Sequence, residues 1–173
     1  GGLEALMQGG KLVPCSRVDI VRSQIGAAVR KGTPKPDIST VAALKQTLLN
    51  ASSVAYSASA SGTYLSTELF QRLGVAEQIK DKATKIYSER VGTVVLRGDA
   101  EIGFQQVSEL LPFKELDYVG PLPDEVQQRV FFSAGVAVGT QNPEAARHLI
   151  RFLAAPAAAA IVRSTGMEPA AAR

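Results

Sequence analysis

Between Ser53 and Val75 the chain reads SVAYSASASGTYLSTELFQRLGV, and this stretch limits the folds open to it. Val54, Ala55 and Tyr56 make a short apolar run that suits a buried strand. A segment of Ser, Ala and Gly follows. Tyr64, Leu65, Leu69, Phe70 and Leu73 then recur on one broad helical face, which Gly74 closes. Strand, small polar loop and helix start in this order present free backbone N–H groups and hydroxyls to an anion. Ser59, Ser61 and Thr63 supply hydroxyls, and Gly62 lets the backbone approach a ligand closely. Ordinary N-capping asks for the same residue types, and from this segment alone capping is the commoner reason for them.

The same alternation runs through the rest of the chain. Gly2 to Gly9 reads as a short helix and Arg17 to Val29 as one extended strand. KGTPKP at Lys31 to Pro36 is a turn, and Asp37 to Asn50 is a helix capped by Ser39 or Thr40 with Val41, Leu44, Leu48 and Leu49 as its stripe. Lys85 to Tyr87 reads as a strand, and Ser88 and Glu89 open a helix from Val91 to Leu96 that Gly98 ends. Ala100 to Gln105 and Asp117 to Val119 are strands, with a helical turn from Ser108 to Leu111 between them. Gln128 to Val138 is a long strand, and Thr140 or Asn142 caps a helix from Pro143 to Leu153. A last helix runs from Pro156 to Ser164, with Gly166 as its stop. Alternating strands and helices predict an α/β fold with a largely parallel sheet. The two long strands bracket about a hundred residues, the size of a small domain.

Composition removes several function classes. The chain has 173 residues, 46% hydrophobic and 20% charged, which describes a soluble globular protein with a core. Its net charge is +3, and Lys and Arg are scattered without a basic block, so no nucleic-acid footprint is visible. A mild positive balance suits a small anionic ligand. Cys15 is the single cysteine, which excludes an internal disulfide and a cysteine-based zinc site. His148 is the single histidine; it excludes clustered histidine metal sites and reads as a partly exposed helix residue. No apolar run reaches the roughly 20 residues that cross a bilayer.

Three phrases carry a family resemblance: SVAYSASASGTYLSTELFQRLGV, RVGTVVLRGDAEIGFQQVSELLP and VGPLPDEVQQRVFFSAGVAVGTQNPEAARHLIRFLAAPAAAAIV. In this order they closely resemble the molybdate-type substrate-binding proteins of ABC transporters, which are type II periplasmic binding proteins. The resemblance covers nearly the whole chain. It implies two α/β lobes joined by two crossing strands, with an anion in the cleft between them and the first part of lobe one absent. On that template residues 1–29 are the end of lobe one and the first hinge strand, and residues 30–132 are lobe two. Residues 133–173 are the second hinge strand and the C-terminal helices returning to lobe one. A periplasmic location follows, with a signal peptide expected ahead of Gly1, and an ABC transporter permease is the implied protein partner.

The resemblance also assigns site residues. The first loop matches at Ser61, Gly62 and Tyr64, so the backbone N–H groups near Ser61 and Gly62 should face the ligand beside the hydroxyls of Ser59 and Thr63; a second loop matches at Ser88, Glu89 and Arg90, again through backbone N–H groups. Gln106 stands where the molybdate binders carry a Tyr. An oxyanion held by neutral donors needs neither Arg90 nor Gln106, whereas a polycarboxylate can use both. The expected function is therefore solute binding of an organic polycarboxylate or an oxyanion such as molybdate, with no cofactor and no metal. The AEIGFQQVSELLP phrase resembles a branch that includes aconitate isomerase-like proteins, so the alternative is isomerisation of a tricarboxylate by proton transfer. No catalytic residue is assigned; Glu89 is a weak candidate, because a neighbouring Arg and a helix start favour its ionised form. Leu149, Ile150, Phe152, Leu153, Ile161 and Val162 need a sheet to cover them. A second copy, an exchange of elements, or chain ahead of Gly1 is expected to do so.

Overall fold

The computed structural model describes residues 2–170. They divide into two compact units, one of Gly1–Ser23 with Phe131–Arg173 and the other of Gln24–Val130. Helix α1 spans Gly2–Gln8. The segment expected as one strand over 17–29 is two strands, β1 (Val18–Ser23) and β2 (Ile25–Arg30), which belong to different sheets. The break falls at Gln24, where the chain passes from one unit to the other.

The central unit holds helix α2 (Val41–Asn50), strand β3 (Val54–Ser57) and a continuous helical stretch α3 over 60–72. Helix α4 (Ala76–Ile79), strand β4 (Ala83–Ile86), helix α5 (Val91–Arg97) and strand β5 (Ile102–Gln106) follow. Helix α6 (Val107–Leu110), strand β6 (Leu116–Pro121) and a short 3-10 turn at Asp124–Val126 follow. Thr40 caps α2, its hydroxyl accepting from the Ala43 N–H at 3.1 Å. Gly98 ends α5 with φ +89°, a left-handed conformation that glycine adopts without a Cβ penalty.

The sheet order is β4-β3-β5-β2-β6. Strands β3, β4 and β5 run parallel, but β2 runs antiparallel to both β5 and β6. The expectation of a largely parallel sheet is therefore corrected to a mixed one. The reason is connectivity: β2 reaches this sheet from β1, outside the βαβ succession, and lies between two strands that run the other way.

Alternation along the strands sends side chains to both faces. Val29, Val54, Ile102 and Phe104 pack with Leu44, Leu48, Leu65, Leu69 and Ile79 on one face. Ala28 and Ala55 pack with Val91, Val94, Val95, Leu110 and Leu116 on the other. Strand β5 is buried along its whole length, as a central strand covered on both faces must be.

The other unit has a three-stranded sheet in the order β7-β1-β8, with β7 at Val130–Ala134 and β8 at Met167–Pro169. The long strand expected over 128–138 stops at Ala134. Beyond Gly135 the chain pairs instead with residues 11–13: the Val13 N–H donates to the Val136 carbonyl at 2.8 Å and the Val138 N–H to the Lys11 carbonyl at 2.9 Å. Helix α7 (Pro143–Ala154) is capped by Asn142, which accepts from the Ala145 N–H at 3.2 Å, and α8 spans Ala159–Ser164. Strand β8, which the sequence reading did not anticipate, pairs antiparallel with β1 and sets Glu168 against Arg22 at 2.6 Å.

Candidate functional site

Strands β3, β4 and β5 point the same way, so the loops that leave them share one end of the sheet. Ser57 lies opposite Ile86, and Tyr56 lies opposite Phe104. The Ala58 N–H continues the pairing to the Ile86 carbonyl at 2.8 Å. Beyond the ends of β3 and β4 come Ser59 to Thr63 and Ser88 to Arg90, and Gln106 is the last residue of β5. All eight residues singled out from the sequence thus leave neighbouring strands at the carboxyl end, where ligands gather in open α/β sheets.

The first loop is a cluster of hydroxyls. Ser57 Oγ lies 2.7 Å from Ser59 Oγ and 3.1 Å from Ser61 Oγ, and Ser59 and Ser61 are 3.2 Å apart. Ser59 occupies the N-cap position of α3, yet its side chain makes no capping bond. Its hydroxyl is turned to the other serines, so simple capping does not account for it. Ser57 and Ser61 are buried, while Ser59 and Thr63 are exposed. Ser57 was not singled out, although the Ser-x-Ser-x-Ser spacing of 57, 59 and 61 was a usable signal. Gly62 is required by packing: a Cβ there would fall 1.5 Å from the Ser57 carbonyl oxygen. The helix then loosens into a π-helical turn over Leu65–Leu69, a departure that often accompanies functional sites. Tyr64 ties the helix to the following turn through its hydroxyl, which donates to the Val126 carbonyl at 2.8 Å.

In the second loop Ser88, Glu89 and Arg90 are all exposed. Glu89 accepts two hydrogen bonds from Arg97, at 3.0 and 3.1 Å, and Arg97 also bonds Asp99 at 2.6 Å. The hydrogen bonds from Arg97 hold the Glu89 carboxyl below its ordinary value. A carboxylate so engaged is a poor base. The Arg90 side chain makes no hydrogen bond or ion pair with any described residue, so its guanidinium fork remains available.

Strand β5 ends in two glutamines with different surroundings. Gln105 accepts from the Val91 N–H at 3.1 Å and donates from its amide nitrogen to the Glu109 carboxylate. It therefore fastens the start of α5 to β5 and orients Glu109. The family resemblance pointed to Gln106 and not to Gln105, whose role depends on the partners it meets across elements. Gln106 is only 4% exposed, and its Oε1 is buried without a partner. Three cavities, of about 210, 280 and 480 Å³, are lined by other residues of the central unit. Among the described residues no group of three His, Cys, Asp or Glu side chains could hold a metal ion.

The family profile described as bacterial extracellular solute-binding protein matches residues 2–168. The chain belongs to this family. It is 47% identical over 167 residues to an aconitate isomerase of Pseudomonas sp., covering 96% of this chain and 64% of that protein. The chain thus spans less than two thirds of that relative's length.

Among solved structures, a substrate-binding domain from Clostridium difficile superposes with a TM-score of 0.78 at 18% identity, over 97% of this chain and 72% of that one. The periplasmic molybdate-binding protein of Azotobacter vinelandii gives 0.71 at 18% identity, over 95% and 73%. These likenesses establish the type II periplasmic-binding-protein fold. Such proteins bind small solutes, and this family is the one the sequence phrases resembled.

Proposed function

We propose that this chain carries the ligand-holding part of a periplasmic solute-binding protein for a small polycarboxylate, delivered to an ABC transporter permease. The observation that carries this reading is the grouping at one sheet end of the serine hydroxyls, the unengaged Arg90 and the unpartnered Gln106. Arg90 offers a carboxylate a bidentate fork, and Gln106 and the hydroxyls offer neutral donors. A tetrahedral oxyanion such as molybdate has no use for the Gln106 acceptor. In this reading residues 30–132 act as lobe two, with residues 1–29 and 133–173 supplying the hinge strands and part of lobe one.

A second reading is isomerisation of a tricarboxylate, favoured by the 47% identity to an aconitate isomerase. It needs a base within hydrogen-bond reach of the substrate. Glu89 is bound up with Arg97, which leaves Glu109, oriented by Gln105, as the better-placed carboxylate in this part of the protein.

The test is a thermal-shift panel on the intact protein with molybdate, tungstate, sulfate, citrate and both aconitate isomers, followed by NMR of any aconitate hit over time. Stabilisation by the carboxylates, weakened by about 1.5–3 kcal/mol in Arg90→Ala, supports polycarboxylate binding. Tight molybdate binding indifferent to Arg90→Ala overturns it. Interconversion of the aconitate isomers selects the enzyme over the carrier.

A further inference from the structure

Among the described residues the buried polar side chains are Ser23, Ser57, Ser61, Gln105 and Gln106. Ser57 and Ser61 bond one another, and Gln105 is paired at both ends of its amide. Gln106 differs. Its Oε1 is the one buried side-chain atom without a partner among the described residues, and its Nε2 makes no hydrogen bond with any of them either. The enclosed end of the amide is the oxygen, an acceptor, so what it lacks is a donor. Buried polar groups are nearly always hydrogen-bonded, so an unpaired one calls for a physical reason.

Its position supplies one. Gln106 is the last residue of β5 and the N-cap of α6, yet its side chain makes no capping bond. Alternation along β5 places it with Ile102 and Phe104, on the face covered by α3, while Gln105 faces α5. It therefore stands at the same strand end and on the same sheet face as the helix that Ser59 and Ser61 begin.

We infer that Gln106 selects for a hydroxyl group: the ligand is a hydroxylated polycarboxylate, whose adjacent carboxylate and hydroxyl satisfy the amide N–H and the amide oxygen together. This rests on the polycarboxylate reading above and narrows it. A fully ionised carboxylate without a hydroxyl brings acceptors only and leaves Oε1 unpaired. A hydroxyl on the neighbouring carbon brings the missing donor. Sites built to pair with a substrate hydroxyl discriminate strongly against the analogue that lacks it, because the buried partner is then left unsatisfied.

The experiment uses two probes that differ by one hydroxyl, citrate and propane-1,2,3-tricarboxylate, measured by calorimetry on the intact protein and on Gln106→Met. Wild-type protein should bind citrate at least about tenfold more tightly. Gln106→Met, of similar length, without a donor and with only a weakly accepting sulfur, should reduce that ratio to near one. Equal affinity in the wild type overturns the hydroxyl selection while leaving polycarboxylate binding standing, and that measurement needs no variant. A ratio that survives in a folded Gln106→Met also overturns it. If neither probe binds, the polycarboxylate reading fails as well, and the inference with it.

Discussion

Arg97 grips Glu89 through both terminal guanidinium nitrogens, Nη2 to Oε1 at 3.0 Å and Nη1 to Oε2 at 3.1 Å, across the length of α5. The pair ties the loop before the helix to its last residue, and Asp99 completes the group. Arg97 thereby fixes the loop that also carries Arg90.

The first prediction concerns that pair. Hydrogen bonding by Arg97 lowers the Glu89 pKa, so the folded state prefers the ionised form. Its contribution to stability is present above the ordinary carboxylate pKa and is lost as pH falls through the lowered value. NMR titration of Glu89 should show a midpoint below the usual glutamate range, moving up in Arg97→Ala. An unmoved midpoint would mean that the pair does not persist in solution. Under the isomerase reading, Glu89→Gln should also leave the acidic limb of the pH–rate profile in place.

The second concerns Gly62. An added Cβ would meet the Ser57 carbonyl, which is backbone and cannot rotate away. At Gly103 the equivalent clash is with the side chains of Val91 and Val95, at 2.5 and 2.6 Å, which can shift. Gly62→Ala should therefore destabilise by about 2–3 kcal/mol or more, and by more than Gly103→Ala. Urea unfolding of both variants gives the comparison. Equal losses would show that α3 can slide to make room. Because the same move displaces Ser59 and Ser61, ligand binding should suffer in Gly62→Ala even where the protein folds.

Much of this architecture could be read from the chain, and the failures have physical causes. Helices α2, α5 and α7 each carry a local signal at one end, namely Thr40 and Asn142 as caps and Gly98 as a stop, and the structure uses each of them. Strand β8 carries no such signal. Met167, Glu168 and Pro169 become a strand because β1 offers them a partner, and that pairing is a tertiary event. The break at Gln24 has the same character, since an uninterrupted extended pattern gives no hint that its halves join different sheets. The π turn in α3 leaves the apolar spacing intact and so was invisible. At the site, strand and helix alternation was enough to gather three loops at one sheet end. Which side chains engage each other was not legible: Glu89 with Arg97 and Gln105 with Val91 depend on geometry across elements, and two adjacent glutamines look alike until the pleat separates them.

A third prediction follows from Gln127, whose side chain behaves like a short piece of strand. Its Oε1 accepts from the Ile25 N–H at 2.8 Å, and its Nε2 donates to the carbonyls of Ile25 and Leu122 at 2.9 and 3.2 Å. Ile25 opens β2 and is fully buried, so these backbone groups have no water to turn to. Gln127→Leu should cost about 1–3 kcal/mol, the range for stranding a buried donor or acceptor. Hydrogen exchange at the Ile25 amide should accelerate, while the amides of β5 away from that end keep their protection. Unchanged exchange at Ile25 would show that another group has taken over from the amide.

The fourth prediction is alkaline. Tyr118 on β6 packs its ring over Gly26, where a Cβ would come within 2.8 Å of Cε2. Burial pushes its hydroxyl up to about 12. Unfolded, it should titrate near 10. In that window the folded chain keeps a proton that the unfolded chain has released, so stability falls as pH rises from about 10 to about 12. Below that range Tyr118 contributes no pH dependence. Tyr56 and Tyr64 are also raised, mainly by burial, and move stability in the same direction. The comparison is therefore between the wild type and Tyr118→Phe, with urea midpoints followed across the alkaline range. The variant should lose less stability with rising pH than the wild type. Parallel curves would mean that the phenol reaches water more freely than its packing over Gly26 allows, and β6 would then be looser against β2 than its hydrogen-bonded register implies.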